Sequence, residues 1–234
     1  YNGLSRAFCN RKPDPKEGLK WFSYVKKELR SYPVWAQYLG YFFGSAGYGL
    51  FFGGNWLDAL WAGVCGILVG LVNHSLDKIR TNQFFQTIAA AFFMSLCAYA
   101  AAALGFTHNA DAVIIGPMMI LVPGLLITNA MRDIIYGDTN SGVNRIVQVF
   151  LIAMALSLGT AAAWSTAAAI WGEPVSVSGL NHGFWTQSVA AAIGCIGFAI
   201  LFNIHGKGVF FSSLGGLFTW MVYLMVMHLT DSTF

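Results

Sequence analysis

Seven stretches of about twenty apolar residues, separated by short polar breaks, decide what this chain can fold into. They cover roughly 34–52, 56–76, 84–104, 111–129, 146–170, 184–203 and 208–228. Each is close to the ~20 residues that an α-helix needs to cross the hydrocarbon of a bilayer. Lipid offers no partners to backbone N–H and C=O groups, so such segments cross as helices, which satisfy those groups internally. Composition agrees: 56% of the residues are hydrophobic and 10% are charged, against roughly 25% charged in soluble domains. The expected fold class is all-α, a polytopic transmembrane helical bundle of about seven spans with a broken or irregular fourth helix.

The basic residues set an orientation. Eight of the thirteen Lys and Arg lie in residues 1–32. Lys78 and Arg80 fall in loop 77–83, Arg132 and Arg145 in loop 130–145, and Lys207 in loop 204–207. Loops 53–55, 105–110 and 171–183 and the C-terminal tail contain none. Positively charged loops stay on the cytoplasmic side, so a cytoplasmic N-terminus and a plasma-membrane location are expected. Within 15–30, Leu19, Phe22, Val25 and Leu29 recur at helical spacing. That pattern predicts an amphipathic helix with a cationic face, packed on its own protein or lying on a lipid surface. The chain starts at Tyr1 and ends at Phe234 just after an apolar helix, and the expectation is a fragment trimmed at both ends.

The fourth segment is the least regular. In GPMMILVPGLLITNAMRDIIYGDTNSGVNR (116–145) the apolar run is interrupted by Pro123-Gly124 and then meets Arg132, Asp133, Asp138 and Arg145. A proline inside a span removes a backbone donor and loosens the helix, and discontinuous helices are a common way to build solute sites in transporters. An Arg beside an Asp can bind a zwitterion, the guanidinium on its carboxylate and the carboxylate on its ammonium. A dicarboxylate would use the Arg and backbone donors. The plain alternative is a cytoplasmic loop anchor in which Arg132 also serves topology. Elsewhere, Asp58 and Asp111 stand at the outer ends of the second and fourth spans and are candidates for coupling to protons. His74 and Asp77, one helical turn apart, form either a proton-sensitive pair or an interfacial His with a solvated Asp.

Other classes find no support. Cys9, Cys65, Cys97 and Cys195 show neither pairing nor metal-ligand spacing, and His108, His182, His205 and His228 suggest no metal site. No nucleophile-elbow, zinc-protease or phosphate-loop signature occurs, so the chain reads as no enzyme and as needing no cofactor or metal. The basic N-terminus is short and mixed with acids, which argues against nucleic acid. Small residues such as Gly44-Ser45-Ala46-Gly47, Gly63/Gly66/Gly70 and Ala161–Ala163 predict close helix packing in lipid.

At 121–145 the sequence resembles the threonine/serine exporter family of bacterial and fungal membrane proteins. The family's pattern of Pro-Gly, Asn-Ala-x-Arg-Asp, Gly-Asp and Ser-Gly-x-x-Arg is matched by Pro123 and Gly124, Asn129, Ala130, Arg132 and Asp133, Gly137 and Asp138, Ser141 and Gly142, and Arg145. Residues 50–70, with Gly53-Gly54 and Asp58, are similar to the start of the family's second span, and 194–222 to the opening of its second domain. The resemblance implies a cytoplasmic basic segment (1–32), a first exporter domain of five spans (33–170) and the truncated start of a second with two (180–234). It further implies secondary export of L-threonine and L-serine driven by the proton motive force. Pro123, Gly124, Asn129, Arg132, Asp133, Gly137, Asp138 and Arg145 would then line the substrate path. Implied partners are the small-molecule substrate, protons, the lipid bilayer, second-domain helices supplied in cis or trans, and a possible homo-oligomer. Split members of the family are associated with export of succinate-like dicarboxylates, which keeps that substrate class open. A non-transporting assembly or sensory membrane protein is the reading from a different class.

Overall fold

The computed structural model describes residues 8–11, 14–28, 31–172, 179–180 and 182–230. Among them all regular structure is helical, as expected: α1 (Pro15–Glu28), α2 (Val34–Phe51), α3 (Trp56–Lys78), α4 (Gln83–Ala103), α5 (Ala110–Leu121), α6 (Gly124–Ile135), α7 (Thr139–Trp171), α8 (Phe184–Leu201) and α9 (Lys207–Thr230). The chain divides into two compact units, Tyr1–Pro33 and Val34–Phe234. In the first, the Phe8 ring packs edge-on against Trp21, with centroids 5.9 Å apart. Gly18 of α1 lies under that ring, so a side chain there would displace Phe8. Leu19 and Phe22 are exposed on α1; Leu29 and the side chain of Val25 lie outside the described residues.

The second unit is built around α2, which packs against α3, α5 and α8. Helices α3, α4, α7, α8 and α9 are each long and apolar enough to cross a membrane. The pair α5 and α6, bent by 45° at its break, makes a sixth crossing if counted as one span. α2, the first of the seven expected segments, is less apolar than these. Its Gln37, Ser45, tyrosines and glycines lower its hydropathy. The physical reason is its position: a helix surrounded by other helices meets protein on most of its surface, so lipid does not dictate its composition.

Side chains are distributed as lipid requires. The core consists of small or slender residues, including Ala62, Cys65, Val69, Ala90, Ala91 and Met94. Large apolar groups such as Phe150, Leu151, Met154 and Leu158 of α7 point outward. All four cysteines are free thiols. Where no hydrophobic force drives helices together, close backbone approach supplies the attraction. Along the α2–α8 seam a Cβ added to Gly47 would stand 2.6 Å from the Gly194 nitrogen and 2.8 Å from the Ala190 carbonyl oxygen. A Cβ added to Gly197 would stand 2.6 Å from Gly44 Cα. The two backbones are therefore in direct contact, and only glycine fits.

Gly47→Val should lower stability by about 1–3 kcal/mol through overpacking, read as a lower melting temperature in detergent. Gly124→Ala, with no atom within 4 Å of the added Cβ, should leave the melting temperature unchanged or slightly raised.

Candidate functional site

The fourth span contains two prolines, and it breaks at the second. Pro117 stands inside α5, where it removes one intrahelical donor. Pro123 then ends the helical register: its φ of −80° and ψ of 53° are not helical. The Gly124 N–H turns back to the Val122 carbonyl (2.8 Å), and helical bonding resumes with Ile127 N–H to the Pro123 carbonyl (3.1 Å). Pro123 offers α6 no side-chain cap, so the first N–H groups of α6 face the break without one. With 12 residues, α5 is about 18 Å long, which is too short to cross the hydrocarbon alone. The break therefore falls within the span.

Below the break, α6 packs on the first turns of α7, and the charged residues gather at their turn. Gly137 adopts φ +89°, the left-handed conformation that ends many helices and that glycine accepts without strain. The Asp138 N–H returns to the Asp133 carbonyl at 2.9 Å. The Asp138 carboxylate caps α7 by accepting the Ser141 N–H at 3.3 Å. Asp133 braces the pair: its Oδ2 lies 3.2 Å from Arg145 Nε and accepts the Ser141 hydroxyl at 3.2 Å. Arg132 is placed differently. Its Nε is 4.0 Å from Asp133 Oδ1 and its side chain is 60% exposed, beside Ile127, Met131 and Tyr136 on a shallow groove of α6. Asn129 is half-buried.

Asp58 and Asp111 are not part of this cluster. Asp58 is buried at the first turn of α3, in a capping box with Asn55: it accepts the Asn55 N–H at 2.9 Å while its own N–H donates to the Asn55 side chain at 2.8 Å. Its other oxygen accepts the His108 N–H at 3.0 Å and the Asn109 N–H at 3.4 Å. One carboxylate thus ties the α2–α3 loop to the α4–α5 loop. Nearby, Leu180 N–H bonds the Gly53 carbonyl (2.8 Å), and His182 Nε2 donates to the Gly54 carbonyl (2.7 Å). Asp111 is exposed in the first turn of α5, within electrostatic reach of Tyr99.

At the opposite end of α3, tertiary structure assembles a polar group that periodicity showed only in part. His74 and Asp77 of α3 are joined by Asn73 and by Gln37, Tyr38 and Tyr41 of α2 around a cavity of about 70 Å³. Both helices carry these residues at i, i+1 and i+4, a spacing that puts them on one face. Chain direction reverses at each short connection, so this cavity and the α6–α7 turn share one end of the bundle. A larger, mainly aromatic cavity of about 610 Å³ lies between α2, α8 and α9, lined by Tyr48, Phe51, Trp220 and Tyr223 among others. Among the described residues, no group of three or more His, Cys, Asp or Glu is arranged to hold a metal.

A family model described as "Putative threonine/serine exporter" matches residues 1–167. The chain belongs to the threonine/serine exporter family. A second model, "Threonine/Serine exporter, ThrE", matches residues 187–234. No curated protein and no solved structure matches the chain. As a member of a transporter family, this exporter-family protein is a multi-pass membrane protein that handles a small-molecule substrate in contact with lipid.

The hydrogen bonds of Asp58 lead to a direct expectation. Asp58→Ala strands the Asn55 and His108 N–H donors and should cost about 1–3 kcal/mol, read as a fall in melting temperature. Asp58→Asn retains an acceptor and should cost less. Transport that is lost in Asp58→Asn at unchanged stability would mark a role for the ionised carboxylate beyond this scaffold.

Proposed function

We propose that this protein is a secondary active exporter of small polar metabolites, L-threonine and L-serine in particular, driven by the proton motive force across the plasma membrane. The observation that carries the reading is the helix broken at Pro123-Gly124, in a chain of this family, with ionisable groups one helix further on. Broken helices place uncapped backbone groups at membrane depth, where a solute can use them. In this reading the N-terminus and the α6–α7 turn face the cytoplasm. Support comes from the thirteen basic residues, which all fall on one side of the expected spans. Residues 33–170 form a first exporter domain and 180–234 belong to a second, a division supported by two family matches that stop and resume between 167 and 187.

Arg132 receives the solute carboxylate, because its guanidinium is largely exposed and only distantly paired. Asn129, on the same helix, contributes its amide, and the uncapped N–H groups after Pro123-Gly124 lie further along the path. Asp133, Gly137, Asp138 and Arg145 hold the α6–α7 turn through the contacts described above, so their part in binding is to fix where Arg132 stands. Asp58 or Asp111 couples to protons. Dicarboxylates are the competing substrate class, since an Arg with backbone donors also suits them.

The test is counterflow in proteoliposomes with the complete reading frame, using labelled threonine, serine or succinate with and without an imposed pH gradient. Saturable, gradient-dependent exchange of threonine or serine is expected, reduced at least about tenfold in Arg132→Lys, which keeps the charge but loses the planar fork. Exchange of succinate alone would replace the substrate class. No exchange of any solute, or none that responds to Arg132→Ala and Asp133→Ala, would favour an assembly or sensory role.

A further inference from the structure

Resting on the exporter reading, we infer that the cavity between α2 and α3 binds the α-ammonium group of a small hydroxylated amino acid, with Asp77 as its counter-ion. The cavity gathers two carboxamides, two phenols, an imidazole and one carboxylate from Gln37, Tyr38, Tyr41, Asn73, His74 and Asp77. These side chains are half-buried or exposed, so water that solvates them can be exchanged for a solute. The cavity's construction is specific. Gly70 is the position on α3 where an added Cβ would stand 2.8 Å from the Tyr41 ring. Glycine there lets the ring lie against α3, where Tyr41 and Asn73 both line the cavity.

Asp77 is held from a third helix. Gln86 of α4 donates from Nε2 to Asp77 Oδ1 at 2.8 Å and to the Thr81 carbonyl at 3.1 Å. An amide orients the carboxylate without neutralising it, and among the described residues no cationic side chain pairs with Asp77. A carboxylate so placed complements an ammonium group and repels a second carboxylate. The neighbouring carboxamides and phenols can donate to, or accept from, the remaining polar atoms of the solute. About 70 Å³ is room for about two waters at ~30 Å³ each, which suits the ammonium end of the solute rather than the whole molecule. His74 and Asp77 are both exposed, so the solute enters from water. The chemistry selects α-amino acids over dicarboxylates, a choice that Arg132 cannot make.

Calorimetric titration of the complete reading frame in detergent tests this with three probes. L-serine and serine methyl ester carry the ammonium group, and N-acetylserine lacks it. Serine and the ester should bind and N-acetylserine should not. Asp77→Asn, which still accepts from Gln86, should weaken serine binding at least about tenfold at an unchanged melting temperature. Absence of serine binding to the native protein, equal binding of N-acetylserine, or unaltered affinity in Asp77→Asn would each overturn the assignment. The comparison of ester with N-acetylserine decides on the native protein alone, whatever the folding of the variant. Counterflow on the same preparation judges the exporter reading separately: Asp77-dependent binding without counterflow retires the exporter and keeps the site. Counterflow with an unaltered serine KM in Asp77→Asn keeps the exporter and removes the site.

Discussion

The bundle depends on one close contact, the seam where the backbones of α2 and α8 meet through Gly44, Gly47, Gly194 and Gly197. Helices in lipid gain little from excluding apolar surface, so their association relies on van der Waals contact over short distances. A side chain at Gly47 or Gly197 would meet the facing backbone and push the helices apart. On its other faces α2 meets α3 and α5 at similarly small residues: a Cβ on Gly49 would stand 2.8 Å from the Ala62 Cβ, and one on Gly116 would stand 3.1 Å from the Gly49 nitrogen. A single helix of modest hydropathy thus organises three neighbours, and its glycines locate the polar and aromatic side chains between them.

The two ends of that bundle are built differently. Around Asp58, loops are laced by backbone hydrogen bonds, capping and the His182–Gly54 contact. Around Asp77, α2 and α3 leave a polar cavity. One end is laced by loop-to-loop hydrogen bonds, and the other offers polar groups to water. An alternating-access carrier needs such an asymmetry between its two ends in any one conformation. The broken span links them: α5 packs within the bundle on α2 and α3, while α6 departs by 45° and pairs with α7.

The α6–α7 turn shows how one set of residues reads differently once its geometry is known. Arg132, Asp133, Asp138 and Arg145 look in sequence like a compact charged cluster. In three dimensions Asp133, Ser141 and Arg145 form a brace, Asp138 caps a helix, and Gly137 supplies the left-handed residue. Arg132 stands apart on the exposed face of α6. Turn chemistry of this kind is local and follows from residue type: the glycine, the capping Asp and the break at Pro123-Gly124 all lie within a few residues of the bonds they alter.

The sequence by itself determined the helical membrane character, the family and the position of the broken span. Each rests on composition, on segment length or on a contiguous motif. Apolar length alone did not show that α2 meets protein on most of its surface. Only the tertiary structure decided that Asp58 joins two loops across fifty residues, or that Tyr41 of α2 and Asn73 and Asp77 of α3 line one cavity. Helical periodicity assigns a side chain to a face of its own helix. Which helix that face meets, and at what height, is set by where two backbones can touch, and that depends on glycines far apart in the chain.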